Sequence, residues 1–244
     1  MDQVRFEAIC DAWLVSERER IGIGTQGEKS LHAILKRYFE SETAFHEVKV
    51  GTHIADIARD GEIIEIQTRD LYRLAPKLST FLVENRVTVV YPIVVKKRIF
   101  WMDQETGECL SARKSNKGGK ETDVLAELYG LKKFLKEPNF CVCTVLLDAN
   151  EYRALDGYGK DKKKRATKLD RIPSALIDEI YLQSAEDYKR FLPDSLPEIF
   201  TSADYQKAAG CAKWIAGRAL NILSYLELIH EVGRKGRLKL YEII

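Results

Sequence analysis

Among the side chains able to do chemistry, Asp56 and Glu65 have the most informative placement. They lie in two apolar-rich runs, 53–59 and 62–68, separated by Asp60-Gly61. Asp-Gly between such runs is a strong hairpin signal, because both residues of a tight two-residue turn must accept positive φ. With that turn as the loop, Arg59 faces Glu62, Ala58 faces Ile63, Ile57 faces Ile64, Asp56 faces Glu65 and Ile54 faces Gln67. Side chains alternate along a strand, so Asp56, Glu65 and Gln67 share one face. Directly opposed residues have Cβ atoms ~4.5–5.5 Å apart, and like charges there destabilise the pair. The same face carries Ile54, Ala58 and Ile63, and the other carries His53, Ala55, Ile57, Ile64 and Ile66, so neither is a free solvent face. Two such acids can share a proton, which raises one pKa. They can instead bind a divalent cation, and hard oxygen ligands with few other protein donors suit Mg²⁺. The alternative is a hairpin end that reaches water, with both acids solvated.

The surrounding elements must hold this hairpin. Periodicity predicts helices over 4–20 and 27–40, the second with Leu31, Ile34, Leu35, Tyr38 and Phe39 on its apolar face. A strand is expected over 45–50, then the hairpin, then a helix over 71–84. The β-branched run Val87 to Val95 reads as a buried strand and Arg98 to Asp103 as a further one. Helix, three strands, helix, strand is an α/β layout with an antiparallel meander inside a mixed sheet. Residues 104–120 read as a polar loop, 122–136 as a helix and 140–148 as an apolar strand. In 156–171, seven Lys and Arg stand against three Asp, which reads either as a solvated loop or as a phosphate-contacting arm. Pro193 and Pro197 mark a boundary. Beyond them Thr201-Ser202-Ala203-Asp204 is a capped helix start, Gly210 ends that helix, and Ile215, Ala219, Ile222, Leu223, Leu226 and Ile229 line a longer one. Two short strands around Gly233-Arg234-Lys235-Gly236-Arg237 close the chain.

The composition bounds these readings. The chain has 244 residues, of which 45% are hydrophobic and 31% charged. That is room for one large or two smaller domains, and it excludes a disordered chain, a collagen or a small disulfide scaffold. Net charge is only +2, so partners must be read from where charge sits. No stretch approaches the ~20 apolar residues of a membrane span, and the start lacks the apolar core of a signal peptide. The five cysteines (Cys10, Cys109, Cys141, Cys143, Cys211) are odd in number and scattered, which fits reduced thiols in a cytoplasmic setting. Cys141 and Cys143 share a strand face, but no second pair or nearby His completes a metal site.

Gly22-Ile23-Gly24-Thr25-Gln26-Gly27 matches a dinucleotide fingerprint, but a charged helical segment precedes it where a strand is required. A P-loop would need Lys and then Ser or Thr after the last glycine, and Glu28-Lys29-Ser30 stands there. The glycines are read as a sharp entry into the next helix. His53 lies on the face opposite Asp56 and reads as a packed core histidine.

The arrangement resembles the PD-(D/E)xK nuclease superfamily, the restriction-endonuclease-like fold. That pattern is an acid-bearing helix, a strand, an Asp near the end of the next strand, a hairpin, and Glu-x-Lys on the third strand. Here Glu28 opens the helix, Asp56 sits in Ile54-Ala55-Asp56-Ile57-Ala58, and Glu65-Ile66-Gln67 closes the motif. The resemblance spans roughly residues 20–100 and extends the expected nuclease-like domain over 1–198. It implies that Asp56 and Glu65 ligate Mg²⁺ (with Mn²⁺ tolerated), that Glu28 joins them, and that activated water attacks a phosphodiester of DNA in line. One departure is Gln67 where the family usually has Lys. A neutral amide cannot supply positive charge and can only orient a water. Lys49 on the preceding strand and Lys77 on the following helix are candidate substitute cations, each also readable as a surface lysine.

The tail, 199–244, resembles winged-helix DNA-binding domains. There the second helix enters the major groove and the wing touches the backbone. This makes Lys213, Trp214, Arg218 and Asn221 candidate groove residues, with Arg234, Lys235 and Arg237 on phosphates. The combined expectation is a cytoplasmic Mg²⁺-dependent endonuclease of restriction, repair or defence, with DNA as partner and no membrane association. A homodimer would let such an enzyme cut both strands. The rival is a catalytically inactive DNA-binding regulator on the same scaffold, favoured by Gln67.

Overall fold

A computed structural model describes residues 1–19, 30–103, 106–154 and 166–244, with backbone alone at 16–19. The glycine loop 21–27, Glu28 and the cations from Lys160 to Arg165 lie outside the described residues. Contacts divide the chain into two compact units that share three long strands. One comprises Met1–His46, Val94–Gly119 and Val145–Glu179; the other comprises Glu47–Ile93, Lys120–Thr144 and Ile180–Ile244.

The fold is mixed α/β, with a large mixed sheet and flanking helices. In the second unit β1 (His46–Val50), β2 (His53–Arg59) and β3 (Glu62–Ile66) lead through a 3-10 turn (Leu71–Leu74) and helix α3 (Ala75–Phe81) into β4 (Arg86–Met102). β3 pairs antiparallel with β2 and parallel with β4, setting Glu65 beside Val89. The sheet continues through β6 (Phe140–Ala154) to β7 (Thr167–Leu182), while β5 (Cys109–Lys114) pairs with β4. Ala55, Ile57, Ile63, Ile66, Val87, Val89 and Val90 are buried in this sheet. Against it, Leu71, Leu74, Leu78 and Phe81 recur at helical spacing and are buried too.

In the first unit α1 (Gln3–Glu19) buries Phe6, Cys10 and Trp13, and α2 (Ser30–Phe39) buries Leu31, Ile34, Leu35 and Tyr38. The Trp13 indole N–H donates to Ser30 Oγ at 2.8 Å, and that hydroxyl donates in turn to Asp170 of β7. Three sequence expectations are corrected here. The runs expected as Val87–Val95 and Arg98–Asp103 are one 17-residue strand, Arg86–Met102, which passes through Lys96 and Lys97 without a break. The polar loop 104–120 contains β5, whose six residues are all exposed, so it carries no burial alternation and forms by backbone pairing with β4. From Thr167 the cation-rich loop is already β7, since Asp170 and Arg171 find partners inside the unit.

The helix expected over 122–136 is shorter: α4 (Asp123–Leu128) passes into a 3-10 segment (Tyr129–Phe134). Gly130 lets that segment press on the 3-10 turn before α3; a Cβ there would sit 2.6 Å from Tyr72 Cβ. The tail follows its predicted order. Thr201 and Asp204 form a reciprocal cap on α5 (Ser202–Ala209), Gly210 ends it at φ +57°, and α6 (Lys213–Tyr225) precedes the hairpin β9 (Ile229–Lys235) and β10 (Leu238–Ile243). β10 also pairs with the short β8 (Ile199–Phe200). Among the described residues no helix is long and apolar enough to cross a membrane.

The bend between β2 and β3 places Asp60 at φ +51° and Gly61 at φ +82°, the left-handed pair that a tight hairpin needs. A Cβ on Gly61 would meet nothing within 4 Å, so a side chain there is opposed by backbone conformation alone. Gly61→Ala is therefore expected to lower stability by about 1–2 kcal/mol in urea unfolding. An unchanged midpoint would show that the bend tolerates another geometry.

Candidate functional site

The β2–β3 register pairs Arg59 with Glu62, Ala58 with Ile63 and Ile57 with Ile64, as the Asp-Gly turn requires. One step further along, Asp56 and Glu65 meet. The Asp56 N–H donates to Glu65 Oε1 at 3.3 Å, and the Ile66 N–H donates to Asp56 Oδ2 at 2.7 Å. Glu65 is 2% exposed, whereas Asp56 is half-buried. The hairpin thus sinks one carboxylate and leaves the other at the rim.

Lys77 completes the cluster. Its Nζ lies 3.1 Å from Glu65 Oε1 and 2.9 Å from Oε2. The helix makes this possible: Leu78 and Phe81 of α3 are fully buried, which turns the neighbouring Lys77 along the same flank with its side chain 28% exposed. The site therefore holds two carboxylates and one ammonium. Burial pushes the Glu65 carboxyl above the usual range, the Asp56 charge pushes it further, and Lys77 opposes both. A buried acid left this way is under-compensated, a condition common at functional sites.

The other sequence candidates separate. Gln67 follows the last residue of β3, is half-buried, and donates its backbone N–H to Val90 O at 3.0 Å. Lys49 is exposed on β1, so of the two candidate cations only Lys77 reaches the acids. Glu28 lies outside the described residues. His53 packs its ring edge-on to Phe81 at 6.0 Å, the packing role expected of it. Among the described residues no three His, Cys, Asp or Glu side chains gather into a ready-made metal cage, so the donor set is the acid pair itself.

In the tail, Lys213 and Trp214 are exposed at the start of α6. Arg218 is exposed but engaged within the protein: its guanidinium donates to Ala126 O at 2.8 Å and lies over the Tyr129 and Trp214 rings at 5.5 and 5.2 Å. Asn221 accepts from Lys132 Nζ at 2.8 Å. This part of α6 is engaged with α4 and the 3-10 segment. At the hairpin, Arg234 pairs with Glu231 at 3.1 Å, while Lys235 and Arg237 are exposed around Gly236. Sequence reasoning passed over Glu151 and the cations Lys97 and Arg153. No local signal marked them: the alternation breaks at the adjacent polar residues Asn150 and Glu151, and Lys97 lies on another strand.

The acid pair has a stability signature. Glu65 has a higher pKa folded than unfolded, so its protonated form is the one the fold favours. That contribution is fully present below the unfolded value and is lost as pH rises through the folded one. Asp56→Asn removes the like charge and keeps an acceptor for the Ile66 N–H. It is expected to raise stability at pH 8 by roughly 0.2–1 kcal/mol, with the gain shrinking as pH falls through the Glu65 titration. Urea unfolding at several pH values measures this, and a less stable variant at pH 8 would contradict it.

The family model described as "Domain of unknown function (DUF8091)" matches residues 29–183, a span that contains Asp56, Glu65, Lys77 and Glu151. An uncharacterized protein of Treponema pallidum (strain Nichols) is 30% identical over 227 residues, covering 90% of this chain and 86% of the relative. No solved structure matches the chain. With well over half of its length inside the family model, the chain belongs to the DUF8091 family.

Proposed function

We propose that this protein is a divalent-metal-dependent nuclease that hydrolyses phosphodiester bonds of DNA, built on a restriction-endonuclease-like core and acting in the cytoplasm. The observation that carries this reading is the Asp56–Glu65–Lys77 cluster, an acid pair with a single ammonium on a tight hairpin. The element order around it, helix, three strands, helix, strand, is the order of the family the sequence resembles.

The residues suit a hard divalent cation. Asp56 and Glu65 supply carboxylate oxygens, hard donors of the kind such a cation takes. Mg²⁺ or Mn²⁺ held there would lower the pKa of a water and stabilise charge on a phosphate. The chain's own groups prepare the site. The Ile66 N–H fixes the Asp56 carboxylate in place. Lys77 keeps Glu65 oriented, and it supplies the positive charge that Gln67 cannot. Gln67, as an amide, has both a donor and an acceptor with which to orient a water.

A second reading has its own support. Lys77 already spans both oxygens of Glu65, so the buried acid has a cation without any metal. Together with Gln67 this favours an inactive scaffold that binds DNA without cutting it.

Incubating the purified full chain with plasmid and single-stranded DNA separates the two. The nuclease reading expects cleavage in Mg²⁺ or Mn²⁺ and none in EDTA. Asp56→Asn and Glu65→Gln, checked for folding by circular dichroism, should each slow cleavage by on the order of 10²-fold or more. Lys77→Met should slow it by about 10-fold. Because Glu65 titrates above the usual carboxylate range, cleavage should fade on the acid side earlier than ordinary carboxylates would dictate. Variants that cut as well as the parent would refute the assignment, and binding without cleavage in either metal would favour the inactive scaffold.

A further inference from the structure

A second carboxylate is buried in the first unit with the opposite electrostatic balance. Glu151 of β6 is 1% exposed and is surrounded by cations from three strands. Arg153 approaches its Oε1 at 2.5 Å, Arg171 of β7 its Oε2 at 2.9 Å, Lys97 of β4 at 3.3 Å, and Lys168 at 3.9 Å. Burial alone would raise the Glu151 carboxyl, but the two arginines and Lys97 outweigh it and hold it down at about 2. It therefore stays ionised at any working pH. Among the described residues, Lys97, Arg153 and Arg171 all stand at hydrogen-bond distance from this one carboxylate, so positive charge exceeds negative there.

The surplus is directed to an open surface. The side chains of Lys168, Arg171 and Arg153 remain 40%, 29% and 24% exposed. Arg171 Nε is a buried donor with no hydrogen-bond partner among the described residues. Such a group has an open hydrogen-bonding position that an incoming acceptor can fill. Lys97 also lines an adjoining cleft of about 360 Å³ together with Lys96, Arg98 and Lys114. The acid of that cleft, Asp148, already accepts the Lys96 backbone N–H at 3.1 Å. Among the described residues, cleft and network bring seven cations against Glu151, Asp148 and the neighbouring Asp170, which is itself held by the Ser30 hydroxyl and the Arg171 N–H.

We infer that this cleft and the cations around Glu151 form a phosphate-binding track for a nucleic-acid backbone. Glu151 acts as an internal anchor that fixes Lys97, Arg153 and Arg171, so little side-chain entropy remains to be lost when phosphates arrive. A single free phosphate would engage a few donors. The cations here come from four strands, β4 to β7, which suits successive charges along a chain. The anion chemistry stands on this geometry alone. The choice of nucleic acid over a free polyphosphate rests on the proposed nuclease reading.

The test uses the full chain with Lys96→Ala, Arg98→Ala, Lys114→Ala and Lys168→Ala combined. All four residues are exposed, and folding is checked by circular dichroism and melting. Binding of a fluorescent duplex is measured by anisotropy in EDTA, where no cleavage occurs, across a salt series. The expected result is a Kd at 0.15 M salt raised at least about 10-fold and a slope of log K against log salt shallower by about 3–4. If the variant binds with the parent's affinity and slope, the inference is overturned even where the parent cuts DNA. If the parent binds no duplex while tripolyphosphate raises its melting temperature and not the variant's, the site takes a free anion and the nucleic-acid assignment falls. If the parent binds and never cuts, and the variant loses binding, the nuclease reading fails while this inference holds.

Discussion

A bend with left-handed backbone at two successive residues admits one register between the strands it joins, and the β2–β3 pair depends on it. In that register two carboxylates face each other on a strand pair whose neighbours are mostly apolar. The two costs this imposes differ in size. Opposed like charges cost roughly 0.2–1 kcal/mol. A buried, unpaired carboxylate costs several kcal/mol. The larger demand is Glu65's burial, and it is met: α3 is seated by Leu78 and Phe81 so that Lys77 reaches both oxygens. The smaller, the repulsion from Asp56, is left in place. Asp56 anchors the Ile66 N–H yet sets a like charge beside a buried glutamate, and that juxtaposition is the feature that calls for a functional explanation.

How much of this is readable in the sequence depends on how local the cause is. The Asp60-Gly61 bend, and with it the alignment of Asp56 and Glu65, is written in adjacent residues and needs no knowledge of the rest of the chain. The cap formed by Thr201 and Asp204 and the stop at Gly210 are equally local. Lys77 is different. Its helix is legible, but the contact with Glu65 depends on how α3 lies across the sheet, and a half-exposed lysine on a helix flank looks the same in sequence whether or not an acid waits for it. Strands were misread where charge interrupted them. Lys96 and Lys97 split β4 on paper, and Lys168, Asp170 and Arg171 disguised the start of β7 as loop. At Lys97, Asp170 and Arg171 the charge is admitted to a strand because another strand or helix supplies its partner. The Glu151 cluster is the extreme case, since Lys97 and Arg171 lie 54 and 20 residues away from it along the chain.

Glu65 and Glu151 show what environment does to one residue type. Both are glutamates on sheet strands and both are almost wholly buried. Desolvation alone would raise each. Glu65 has one lysine and a neighbouring acid, and its carboxyl is raised. Glu151 has two arginines and a lysine at hydrogen-bond distance, and its carboxyl is held at about 2. The difference in neighbouring charge is plain: one acid and one lysine at Glu65, three cations at Glu151. It also sets what each surrounding can accept. Glu65 faces a like charge in Asp56, which a divalent cation would relieve and a second anion would worsen. Among the described residues, cations outnumber acids around Glu151 and Arg171 Nε is a buried donor without a partner, an arrangement that suits phosphate oxygens and would repel a metal ion. The two sites thus call for ligands of opposite charge, each on its own geometry, and evidence against either leaves the physical case for the other unchanged.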